Sequence, residues 1–179
     1  AIEQLADRYS YIDITKVGIF GHSGGGFMST AAICTYPDFY KAAVSSAGNH
    51  DNNIFNRGWS EIYHGVRETE KIVKGKDGKD STVYTYTCKV PTNIELAHRL
   101  KGHLLLVTGD MDKNVHPAHT FRMVDALIKA RKNFEMLVLP GNGHGFREKA
   151  DKFFERRLWY HFAKYLLGDE STMNSETED

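Results

Sequence analysis

An α/β fold with a mainly parallel sheet and helices on both faces is predicted by three observations in this 179-residue sequence. Short apolar runs at 17–20, 42–47, 103–108 and 134–139 alternate with helix-period segments, the pattern of strands joined by helical crossovers. The first run leads into G-x-S-x-G at Gly21, Ser23 and Gly25, with a helical segment behind it. A serine on such a strand-to-helix turn is a nucleophile elbow. Asp112 follows the third run and His144 the fourth, so serine, acid and histidine come in the chain order of the α/β-hydrolase fold.

The elements follow in order. Ile2, Leu5, Ala6 and Tyr9 recur at helical spacing over residues 1–9. Val17 to Phe20 form the first strand, and the helix after the elbow spans 27–36. Pro37 ends it, because a residue before proline disfavours the helical region. Residues 42–47 are the second strand, and the polar segment 48–53 lies at its C-terminal end, where ligands bind in open α/β sheets. Phe55, Trp59, Ile62 and Tyr63 form an aromatic segment that is either core or pocket wall. Residues 70–90 read as a charged surface hairpin around Asp77-Gly78, a strong turn signal. Residues 93–100 form a helix capped by Asn93 or Thr92. Strand 103–108 is followed by helix 117–132, with Pro117 in its first turn. Strand 134–139 is followed by a long aromatic-rich helix, 146–167. Residues 169–179 form an acidic tail, expected to be disordered. No internal repeats occur.

Composition excludes several classes. Acidic and basic residues balance at 23 each, against a nucleic-acid footprint. No apolar run is long enough to span a membrane. Two cysteines, Cys34 and Cys88, make no disulfide framework, and Cys34 reads as a small core residue. Residue 1 falls inside a helical pattern, so the sequence is read as cut from a longer chain.

The chemistry follows from the residue types. Ser23 needs a base, and the base needs an orienting acid. His144, flanked by Gly143 and Gly145, is free to swing over the sheet edge as the base. Asp110 competes with Asp112 as the acid, and the preference for Asp112 comes in part from a family resemblance. The helix behind Ser23 offers free N–H groups to a developing anion, and the Gly24 N–H is the candidate oxyanion donor. Gly21 and Gly25 lack side chains so that strand and helix can approach. Asp110, Asp112 and Asn114 mimic the start of a calcium loop, but Val115 and Phe121 occupy its invariant glycine and glutamate positions. His116 and His119 lack a further spaced ligand set. No metal and no cofactor is expected.

The stretches VGIFGHSGGG, LLLVTGDMDKNVHP and GHGF resemble the catalytic domain of the prolyl oligopeptidase family, in its dipeptidyl-peptidase IV branch. The resemblance implies a serine peptidase with Ser23, Asp112 and His144 as its triad. It implies that Asn114 contacts the peptide carbonyl and that Val115 lines the specificity pocket. It places Trp59 and Tyr63 where the family builds its pocket for the residue before the scissile bond. The branch carries tryptophan and tyrosine where this sequence has His22 and Gly24, and the insertion at 70–90 also departs.

The same resemblance implies missing parts. The family's second oxyanion donor, a tyrosine, and the β-propeller that holds a substrate's amino terminus have no counterpart in 179 residues. Residues 1–168 are thus expected to be the C-terminal part of an α/β-hydrolase domain, inactive alone. A peptide substrate, a homodimer through an exposed sheet edge, and a periplasmic, secreted or cell-surface location accompany that reading. A carboxylesterase with the same triad and a non-catalytic α/β-hydrolase-like domain are the competing functions.

Overall fold

The structure, a computed structural model, describes residues 1–76 and 78–171. The chain divides into two compact units, Ala1–Asp51 with the chain from Thr92 onward, and Asn52–Pro91.

The first unit contains α1 (Ile2–Arg8), β1 (Val17–His22), α2 (Gly24–Thr35) and β2 (Tyr40–Ser46). After the second unit it resumes with α4 (Asn93–Leu96), β5 (His103–Gly109), α5 (Ala118–Lys129), β6 (Glu135–Leu139) and α6 (Glu148–Phe162). The strands form one four-stranded sheet in the order β1-β2-β5-β6. Every pairing in it is parallel.

Alternation along β5 divides the core. Leu104 and Leu106 face one way, packed with Ile33 and Cys34 of α2 and Met123 and Leu127 of α5. Leu105 and Val107 face the other way, with Val44, Leu139 and Leu158 of α6. The period of two in a strand thus assigns neighbouring leucines to two helical layers. Each buried leucine contributes about 1.5–3 kcal/mol. Burial pushes the Cys34 thiol up to about 12, so it acts as a small hydrophobe.

Several boundaries differ from the sequence pattern for physical reasons. Helix α2 starts at Gly24, not Phe27, because docking on β2 offsets the poor helix propensity of three glycines. Thr92 caps α4, and its capping box with Glu95 closes both ways, where the sequence left Thr92 and Asn93 open. That helix runs only to Leu96 and tightens into a 3-10 turn over Ala97–Arg99. Helix α6 starts at Glu148 rather than Phe146 because Arg147 before it is extended, with φ −114° and ψ 137°. Its continuation, Ala163–Leu167, is a π-turn ended by Gly168 in the left-handed conformation.

The second unit holds α3 (Arg57–His64) and the antiparallel pair β3 (Arg67–Lys74) and β4 (Asp80–Thr87). The pairing begins three residues before the expected hairpin. Asp77 lies outside the described residues, as do residues 172–179 of the expected tail. Asn53 and Val90 exchange hydrogen bonds at 3.0 and 3.2 Å, closing the base of this unit.

Candidate active site

Ser23 occupies the single residue between β1 and α2, with φ 59° and ψ −120°. A non-glycine residue there is strained, and its surroundings hold it. Its N–H donates to the Ser46 carbonyl at 2.8 Å, and its carbonyl accepts from the Phe27 N–H at 3.0 Å. The turn needs glycine at two places. A side chain at Gly21 would meet the Gly25 backbone at 2.5 Å, and one at Gly26 would meet the Ser46 carbonyl oxygen at 2.6 Å. Gly25, expected to be needed for close approach, faces open space instead.

The loops after β1, β5 and β6 converge. His144 Nε2 lies 3.0 Å from Ser23 Oγ. His144 Nδ1 lies 2.8 Å from Asp112 Oδ2. The Asp112 carboxylate is fully buried while His144 remains a quarter exposed. The other carboxylate oxygen, Oδ1, accepts from the backbone N–H groups of Asn114 and Val115 at 2.8 and 2.9 Å. Three hydrogen bonds hold the buried side chain in place. Donation from Nδ1 to Asp112 puts the imidazole lone pair on Nε2, facing the serine hydroxyl.

Asp110, the alternative acid, is exposed and accepts from the Gly141 N–H at 2.7 Å. It braces the turn that carries His144. Asn142 organises the same turn, and the sequence reading passed over it. Its carbonyl accepts from Met111 N–H at 3.0 Å. Its side chain accepts from Arg147 N–H at 3.0 Å and donates to the Pro140 carbonyl at 2.9 Å. The signal was present, since an asparagine between two glycines in a post-strand turn favours such local bonds. Gly109 ends β5 against this turn, where a side chain would strike the Asn142 and Gly143 carbonyls.

The remaining candidates divide. Gly24 opens α2, so its N–H is one of the donors a helix start leaves without an intrahelical partner. Asn114 is exposed beside Asp112. Val115 is 1% exposed, a core residue in this chain. Trp59 and Tyr63 lie on α3 in the second unit, their rings 4.9 Å apart, with Phe55 against Trp59 at 5.5 Å. His116 accepts from the Ala118 N–H at the start of α5. His50 follows β2, fully buried, and its Nδ1 lies 3.0 Å from Asn93 Nδ2. Burial, and then His119, lower its pKa to about 3. Among the described residues no helix is long and apolar enough to cross a membrane.

Several known proteins are similar to this chain in sequence or in fold. Human dipeptidyl peptidase 8 is 28% identical over 92% of this chain, which spans 17% of that relative. Inactive dipeptidyl peptidase 10 of Rattus norvegicus is 25% identical over 96% of the chain, which spans 20% of it. The solved dipeptidyl peptidase 4 of Porphyromonas gingivalis superposes with a TM-score of 0.67 at 21% identity, covering 93% of this chain and 21% of that one. The chain therefore spans about a fifth of the relatives it matches. The family model described as prolyl oligopeptidase family matches residues 1–170, and the chain belongs to that family.

Proposed function

We propose that this chain carries the nucleophile, acid and base of a serine peptidase of the dipeptidyl-peptidase kind. The observation behind the reading is the hydrogen-bond chain from Ser23 Oγ through His144 to buried Asp112, at 3.0 and 2.8 Å. Ser23 Oγ gives its proton to His144 Nε2 as the oxygen attacks the peptide carbonyl. Asp112 holds the ring's tautomer and stabilises the imidazolium. The Gly24 N–H receives the oxyanion. The imidazolium then protonates the leaving amine, and the acyl group stays on Ser23 as an ester. Water attacks the ester, its proton passes to His144 Nε2, and the acid product departs as Ser23 regains its proton.

Asn114, exposed beside Asp112, is proposed to contact the substrate in the full-length protein. The second oxyanion donor is proposed to lie outside these 179 residues. One missing donor costs about 10²–10³ in rate, so the 179-residue chain alone is expected to turn over substrate negligibly.

The test is turnover of X-Pro and X-Ala p-nitroanilides by the full-length protein. Ser23→Ala is expected to abolish turnover and keep substrate binding. Retained turnover would remove Ser23 from its role. A non-catalytic reading draws on the relative named as inactive. A Ser23 that stays unmodified by a fluorophosphonate probe would favour it.

A further inference from the structure

The residue before the nucleophile is bound to both its neighbours in the fold. His22 ends β1 in register with Ser46 at the end of β2. Its Nδ1 lies 3.0 Å from the hydroxyl of Ser46, a buried residue. Its ring tilts against the His144 ring with centroids 4.8 Å apart. It meets Phe146 edge-on at 5.8 Å. The ring is thereby held between the Ser46 hydroxyl at the end of β2 and the His144 ring. A neutral ring with its proton on Nε2 accepts from the Ser46 hydroxyl through Nδ1. Tryptophan, a donor only, would fill the space without accepting from Ser46.

We propose that His22 is a positioning residue for His144, its ring held by Ser46 of β2 and packed against the His144 ring. The inference rests on His144 as the general base. The ionisable groups facing His22 are His144 on the loop after β6, Asp112 on the loop after β5, and Asp151 on α6. Burial first, and then His144, hold its pKa below the usual histidine value, while Asp112, the His144 backbone and Asp151 oppose them. Two imidazoles in contact take up protons in coupled steps. A charged His22 opposes the imidazolium that His144 becomes when it accepts the serine proton. Acidification therefore suppresses reactivity first by one proton and then by two.

The experiment is the rate of Ser23 modification by a fluorophosphonate probe in the full-length protein, followed against pH. His22→Gln keeps a donor and an acceptor but takes no proton, whereas His22→Ala loses everything. For wild type, the plot of log rate against pH is expected to steepen from slope one to slope two on its acid side, and for His22→Gln to stay at one. His22→Ala is expected to lose about tenfold or more on the plateau, and His22→Gln to recover most of that loss. A wild-type slope of one throughout, a slope of two in His22→Gln, or an alanine plateau equal to wild type would overturn the proposal.

Ring ¹⁵N NMR titration of His144 reads the same coupling without requiring reactivity. Wild type should show two inflections and His22→Gln one, and matching curves would overturn the coupling. An unreactive Ser23 with a two-step titration would defeat the peptidase reading alone. A reactive Ser23 with a one-step titration would defeat the coupling alone.

Discussion

Asp112 and His144 sit on different loops, 32 residues apart in sequence, and meet at 2.8 Å with the carboxylate fully buried. The bond fixes which imidazole nitrogen carries the proton. Asparagine at 112 can turn its amide to His144 and reverse the tautomer. Asp112→Asn is expected to slow modification of Ser23 by a fluorophosphonate probe about 10⁴-fold in the full-length protein. The folded state should survive, because the side-chain oxygen can still accept from Asn114 and Val115. A rate within about tenfold of wild type would contradict this.

The elbow glycines are expected to differ in their tolerance of a side chain. A Cβ at Gly21 lies 2.5 Å from the Gly25 backbone, whereas one at Gly25 meets nothing within 4 Å. Gly21→Ala should therefore lower stability in urea by about 1–3 kcal/mol, the scale of overpacking. Gly25→Ala, inside α2, should leave stability unchanged or raise it by up to about 1 kcal/mol. Equal effects would show that the strand–helix approach is not what demands glycine.

His50 makes stability depend on pH. Its pKa is about 3 in the folded chain and about 6.5 when unfolded. Between those values the unfolded chain binds the extra proton, so stability rises with pH. The contribution is complete above about pH 6.5 and is lost on acidification towards pH 3. Its full size is of the order of 5 kcal/mol. His50→Gln, which can retain the bond from Asn93, should flatten urea stability between pH 6.5 and 4. An unchanged slope would remove His50 as the source.

Much of the fold was legible because it depends on local pattern. Four apolar runs, the elbow glycines and the post-strand positions of Asp112 and His144 gave the parallel sheet and placed the site at its edge. What was not legible depends on tertiary contact. The start of α2 lies in three glycines, and only docking on β2 makes them helical. Gly26 was less conspicuous than Gly25 because the motif marks positions relative to serine, not the approach of the Ser46 carbonyl. Asn142 and Asp110 shape the His144 loop through bonds no spacing rule records. Ser46 reads as strand filler until its register with His22 is known. The burial of Val115 likewise depends on how α5 and the Asp112 loop pack.

Ser23 is proposed as the nucleophile of the full-length protein. The most direct measurement is peptide-resolved mass spectrometry of the full-length protein after fluorophosphonate treatment. One adduct on Ser23, absent from Ser23→Ala and strongly slowed in His144→Ala, is the predicted result. An adduct elsewhere, or none on Ser23 while the p-nitroanilide is still cleaved, would contradict it.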